Sequence, residues 1–127
     1  MQLMAKNILV VDDEPDIRES VRQVLQTKGY SVALAEDGRD FLSQLQKNIP
    51  DLVLLDIMMP GLTTKQILSR IQGESKCAGL KIMFLTALHM TEAEKEGLLK
   101  EKNVIGFITK PFKIAYLLDQ VAKAAGK

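Results

Sequence analysis

The chain has 127 residues, 46% of them hydrophobic, and a formal net charge of +1. That length suits one domain with a core that needs no disulfide or metal staple. The near-neutral charge leaves no large basic excess to draw nucleic acid, no acidic tail suggests a solvating segment, the single cysteine excludes an internal disulfide, and no apolar run reaches the roughly 18 residues that span a bilayer. The N-terminal MQLMAKNILVV lacks the layout of a signal peptide, so a soluble cytoplasmic domain covering 1–127 is expected.

The first apolar run, NILVV (7–11), is short and continuous, as suits a strand buried on both faces of a parallel sheet. Residues 15–28 place Ile17, Val21, Val24 and Leu25 at helical spacing, with Pro15 fit for the first turn and Gly29 for the stop. SVALA (31–35) reads as the second strand, and Phe41, Leu42 and Leu45 mark a helix over 38–47. LVLL (52–55) is the third strand, and Ile67, Leu68 and Ile71 mark a helix over 64–72. GESKCAG (73–79) reads as a flexible loop, with Cys77 an ordinary loop thiol. KIMFL (81–85) is the fourth strand. Thr91 and Glu94 form a T-x-x-E capping box that opens a helix to about Lys102. VIGFI (104–108) is the fifth strand, and Ile114, Leu117, Leu118, Val121, Ala122 and Ala125 share one helical stripe. Strand and helix alternate throughout, which argues for an α/β fold: a doubly wound five-stranded parallel sheet with five helices covering both faces.

The residues after each strand carry the chemistry. Asp12, Asp13 and Glu14 follow the first, Asp56 the third, Thr86 the fourth, and Thr109 and Lys110 the fifth. In a parallel sheet these ends share one edge, and ligands of open α/β sheets bind outside it where the strand order reverses. Three converging carboxylates repel one another unless a cation compensates. Hard oxygen donors with positions left open favour Mg²⁺, with Mn²⁺ as a substitute. Lys110 adds a second positive charge, and a phosphoryl group would engage both cations and Thr86. No P-loop or G-x-G-x-x-G is present to hold a nucleotide. A side chain is then the remaining carrier, and Asp56, alone at the end of the central apolar run, is the natural nucleophile.

LVVDDE (9–14), DLVLLDIMMPG (51–61), FLTA (84–87) and FITKPF (107–112) together resemble the CheY-like receiver domain of two-component response regulators, over essentially the whole chain. The resemblance implies a three-layer α/β/α fold of the CheY or flavodoxin type. It implies that Asp56 accepts a phosphoryl group from a phosphohistidine of a sensor histidine kinase or phosphotransfer protein. Asp12, Asp13 and Asp56, helped by the backbone carbonyl of Met58, would hold Mg²⁺ (or Mn²⁺). Thr86 and Lys110 would bind phosphoryl oxygens, and Phe107 would be a switch aromatic that turns inward with Thr86. The Lys110–Pro111 peptide would be cis. The fourth helix, fifth strand and fifth helix would form the surface for a downstream protein target, with Leu99, Lys102 and Tyr116 as candidate contacts. A phosphorylation-dependent homodimer also belongs to this expectation; nucleic acid and membrane do not.

The sequence departs from the family pattern after MMPG, where it reads LTTKQIL; Thr63 or Thr64 can cap the third helix there. Asn103-Val104 replaces the usual Gly-Ala, and Asn tolerates the left-handed conformation common at helix ends. Met58 and Leu88, two residues beyond Asp56 and Thr86, are apolar and imply slow loss of phosphate. His89 reads as a solvated loop residue, and Phe107 as core if not a switch. Two other function classes compete: a phosphatase with Asp56 as covalent nucleophile, and a phosphorylation-independent protein-binding receiver. Met58, where such phosphatases place a second acid, argues against the first. The intact acid set, Thr86 and Lys110 argue against the second. The chain is expected to be either a stand-alone receiver or a domain of a longer response regulator or hybrid kinase.

Overall fold

The computed structural model of the chain describes residues 5–87 and 90–125. Its apolar runs form strands β1 (Asn7–Val11), β2 (Ser31–Ala35), β3 (Leu52–Asp56), β4 (Ile82–Thr86) and β5 (Val104–Thr109). The helices between and after them are α1 (Pro15–Gln26), α2 (Gly38–Leu45), α3 (Thr64–Gln72), α4 (Glu92–Leu99) and α5 (Ile114–Ala125). The sheet is parallel, in the order β2-β1-β3-β4-β5. Its direction of winding reverses between β1 and β3.

Strand alternation sends side chains to two cores. Leu9, Val11, Val53, Leu55, Ile82 and Phe84 meet Phe41 and Leu45 of α2 and Ile67, Leu68 and Ile71 of α3. Ile8, Val10, Leu52, Leu54, Leu85 and Ile108 meet Val21 and Leu25 of α1 and Leu117 and Val121 of α5. The continuous apolar runs of the central strands are needed because both faces are covered. The edge strands are only partly buried.

Local signals hold where they concern caps. Pro15 sits in the first turn of α1, and Gly29 takes a φ of 86° where the chain turns into β2. Thr63 and Gln66 form a reciprocal capping box on α3, as Thr91 and Glu94 do on α4. The helix expected to reach Lys102 ends at Leu99. Two expectations are corrected. Asn103 is not left-handed, since no described non-glycine residue has positive φ. It is buried, and its amide donates to the carbonyls of Cys77 at 3.0 Å and Leu80 at 2.7 Å. The 73–79 connector is not a plain loop: Ser75–Cys77 form a 3₁₀ turn, and Cys77 is buried against the α2–α3 core. A buried amide needs acceptors, and the connector's carbonyls need donors, so Asn103 satisfies both.

Candidate functional site

Register lines up the functional strand ends. Val11 pairs with Leu55, so Asp12 and Asp56 follow side by side at the switch point. Asp56 pairs with Leu85, and Thr86 pairs with Thr109, which brings Thr86 and Lys110 to the same edge. The Lys110 N–H donates to the Thr86 carbonyl at 2.8 Å, and the Lys110–Pro111 peptide is cis, as the family resemblance implies.

Asp12, Asp56 and Thr86 are buried, whereas Asp13 is exposed at the rim. One oxygen from each of Asp12, Asp13 and Asp56 lies within 4.8 Å of the others. The Lys110 ammonium lies 2.5 Å from Asp12 Oδ2 and 3.4 Å from Asp56 Oδ2, bridging two of the three carboxylates. The other oxygens are also engaged: Asp12 Oδ1 accepts from the Glu14 N–H and Asp56 Oδ1 from the Met58 N–H, each at 2.9 Å. Each expected acid and Lys110 therefore enters one cluster, with Thr86 on the neighbouring strand end.

The electrostatics follow from burial and charge. Burial pushes the Asp56 carboxyl above its ordinary value; the Met58 N–H opposes this, Asp12 adds to it, and Lys110 opposes it. Burial alone would lower Lys110, but the hydrogen bond and charge of Asp12, then those of Asp56, outweigh it and hold the ammonium more firmly protonated than usual. The donor set fits a hard divalent cation: three carboxylates at one rim with an exposed member open to water.

Phe107 is half-buried on β5, its ring stacked on Phe84 at 5.6 Å between centroids. Leu99, Ile105 and Tyr116 are exposed large hydrophobics around α4, β5 and α5, and Lys102 is exposed too. Ile105 escaped sequence reasoning because it sits inside an apolar strand; only its place on an edge strand exposes it. Leu88 and His89 lie outside the described residues. Two further features were missed. Arg18 reaches from α1 to the Asp12 carbonyl at 2.7 Å. A cleft of about 420 Å³ between α1 and α5 is lined by Ile17, Val21, Val24, Phe112 and Leu117 and opens beside Ala87 and Lys110. Helical periodicity marks those apolar residues as core without telling which stay uncovered.

The family model for the response regulator receiver domain matches residues 8–122. The chain belongs to the response regulator receiver domain family. The receiver domain is 41% identical over 116 residues to the transcriptional regulatory protein DltR of Streptococcus agalactiae, covering 90% of this chain and 49% of that protein. It is 38% identical over 118 residues to the phosphate regulon transcriptional regulatory protein PhoB of Escherichia coli, covering 93% of this chain and 51% of that protein. The receiver domain thus spans about half the length of these curated relatives. Among solved structures it resembles chemotaxis response regulator CheY4 of Vibrio cholerae (TM-score 0.85, 31% identity, 95% of this chain and 99% of that one). It also resembles response regulator protein TrrA of Thermotoga maritima, solved in complex with Mg(2+)-BeF (TM-score 0.78, 34% identity, 94% and 98% of the chains). Receiver domains serve two-component systems, and phosphorylation and magnesium are general features of the family. Among the described residues, no helix is long and apolar enough to cross a membrane.

Proposed function

We propose that this receiver domain is a phosphoacceptor switch in a two-component phosphorelay, with Asp56 as the phosphorylated residue. The carrying observation is the cluster of Asp12, Asp13 and Asp56 oxygens within 4.8 Å of one another, with Lys110 against two of them. Asp12, Asp13, Asp56 and the Met58 carbonyl would hold Mg²⁺ or Mn²⁺, which supplies the positive charge that lets an anionic carboxylate approach a phosphoryl group.

An Asp56 oxygen attacks phosphorus, forming the P–O bond as the P–N bond of a phosphohistidine breaks. The imidazole nitrogen leaves with the electron pair and takes a proton from solvent. Lys110 turns from the carboxylates toward the new phosphoryl oxygens, and the Thr86 hydroxyl follows. Phe107, half-buried and stacked on Phe84, then turns inward and reshapes the α4–β5–α5 surface around Leu99, Lys102, Ile105 and Tyr116. Phosphorylation biases this equilibrium only through contacts that differ between its two states. On this reading the domain works in the cytoplasm, and its chemistry is limited to its own phosphorylation and dephosphorylation. The α1–α5 cleft beside Lys110 would seat the donor protein, and the α4–β5–α5 surface a downstream target or a second phosphorylated copy. Whether the domain acts alone or within a longer regulator or hybrid kinase, residues 1–127 form the receiver unit. Met58 is 56% exposed beside Asp56 and offers no polar group to orient attacking water, so Met58→Asn is expected to shorten the aspartyl-phosphate lifetime.

The test is intact mass after incubation with acetyl phosphate, with and without Mg²⁺, on wild type and Asp56→Asn. One Mg²⁺-dependent phosphoryl adduct on wild type and none on the variant is the expected result. A folded wild type that gains no mass overturns the reading in favour of a phosphorylation-independent binding module.

A further inference from the structure

Asp12 and Asp13 are neighbours in sequence and unequal in structure. Asp12 is held at four points. Its N–H donates to the Ala35 carbonyl at 3.2 Å, and Oδ1 accepts from the Glu14 N–H at 2.9 Å. Its Oδ2 takes Lys110 at 2.5 Å, and its main-chain carbonyl accepts from Arg18 Nη1 at 2.7 Å. Asp13 is exposed, and its carboxylate makes no hydrogen bond or ion pair among the described residues. It still shares the cluster of three carboxylates. What aims it there acts through the backbone. The Asp12 carbonyl belongs to the planar peptide unit that ends at the Asp13 Cα. A bond to that oxygen fixes the plane from which Asp13 projects. Arg18 is half-buried on α1 and lines the same cleft as Asp13. Its short, charge-assisted bond comes from a rigid, permanently charged group.

We propose that Arg18 is a positioning residue for the metal-binding carboxylates: by holding the Asp12 carbonyl it fixes the Asp12–Asp13 peptide and aims Asp13 at the cation. The inference rests on the reading that Asp12, Asp13 and Asp56 hold a divalent ion. Two effects of Arg18 oppose each other. Its charge repels a nearby cation, so removing the charge alone would tighten metal binding. Its hydrogen bond orders a ligand, so removing the bond weakens metal binding. A half-exposed charge is screened by salt, while loss of a partner that orients a metal ligand typically weakens affinity about 10–100-fold. The positioning effect therefore dominates, and the sign of the change separates the two.

The experiment follows Mn²⁺ binding by the electron paramagnetic resonance signal of the free ion, on the full chain. Arg18→Met keeps the stem and loses the donor, and is expected to bind about tenfold more weakly. Arg18→Lys keeps a donor and is expected to recover much of the loss. Arg22→Met removes the same charge one turn on, where Arg22 pairs with Glu19, and is expected to change nothing. At saturating Mg²⁺ the Arg18→Met rate of phosphorylation by acetyl phosphate recovers, so the apparent metal constant moves and the maximal rate does not. A merely structural role would lower the melting temperature in chelator and leave the metal affinity of the folded variant unchanged. Arg18→Met binding Mn²⁺ as well as wild type, or more tightly, overturns the assignment of Arg18 alone. A wild type that neither binds Mn²⁺ nor takes up phosphoryl overturns the reading of the site, and this inference with it.

Discussion

β1 and β3 run through the middle of the sheet and deliver Asp12 and Asp56 into buried positions, whereas α4 buries none of its eight residues and β5 alternates between buried and exposed. The first region is built on side chains packed from both faces. The second reaches the cores through two buried β5 side chains, Val104 and Ile108, and otherwise through half-buried residues such as Leu98 and Phe107. Acids that must meet a cation and a phosphoryl group in fixed geometry need a scaffold that does not yield. A surface that must change with phosphorylation needs few buried contacts, because local rearrangement is cheapest where little apolar area is locked. On the proposed function, the acids would sit at the centre of the sheet and the responsive surface around its β5 edge.

Five substitutions break or sharpen that contrast. The largest effect is expected on the packed side. Phe84→Ala empties a fully buried ring site and should cost about 3–5 kcal/mol in urea denaturation, whereas exposed Leu99→Ala on α4 should stay within about 0.5 kcal/mol. Equal losses would show that α4 is packed as firmly as the centre.

Next is Lys110→Met, which leaves two buried carboxylates facing each other without their cation. In chelator it should cost about 3 kcal/mol, and added Mg²⁺ should recover part of the loss. A variant as stable as wild type in chelator would mean that Lys110 does not hold the acids together.

Asp56→Asn should have the opposite sign. Burial raises the Asp56 pKa, so the folded state favours the protonated form more than the unfolded chain does. That preference stabilises the fold fully below the unfolded value, near 3.8, and is lost as pH rises through the higher folded value. At neutral pH the fold therefore carries the carboxylate at a cost, and removing the charge should raise the metal-free melting temperature. The gain should shrink as the pH falls toward 4. A variant that melts lower than wild type at pH 7 in chelator contradicts this.

The smallest effect concerns Gly97, in the middle of α4, where an added Cβ meets nothing within 4 Å. Gly97→Ala should stabilise by about 0.4–1 kcal/mol, because the glycine loses more backbone freedom on folding. If loose packing of α4 serves the switch, the stiffer helix should also weaken the phosphorylation-dependent change at the Tyr116 surface, read by NMR shifts of Phe107 and Tyr116.

Much of this molecule was legible in its residues. Period and length fixed the order of strands and helices, because a strand covered on both faces must be apolar throughout and a surface helix must not. Caps were legible because Thr63, Thr91 and Pro15 act on backbone groups within one turn. Asp12, Asp13, Asp56, Thr86 and Lys110 could be assembled because a parallel sheet sends all its strand ends to one edge. Partners distant in the chain were not legible. Asn103 looked like a local helix stop and instead bridges two carbonyls in the preceding connector, which also buries Cys77. Arg18 carries no local signal of its contact and grips the carbonyl of the peptide between Asp12 and Asp13. The exposure of Ile105 and the open α1–α5 cleft depend on which apolar residues the neighbouring elements leave uncovered. Periodicity and strand-end chemistry are local properties that a sequence states directly; a long-range hydrogen bond or an uncovered apolar side chain exists only once the chain has packed.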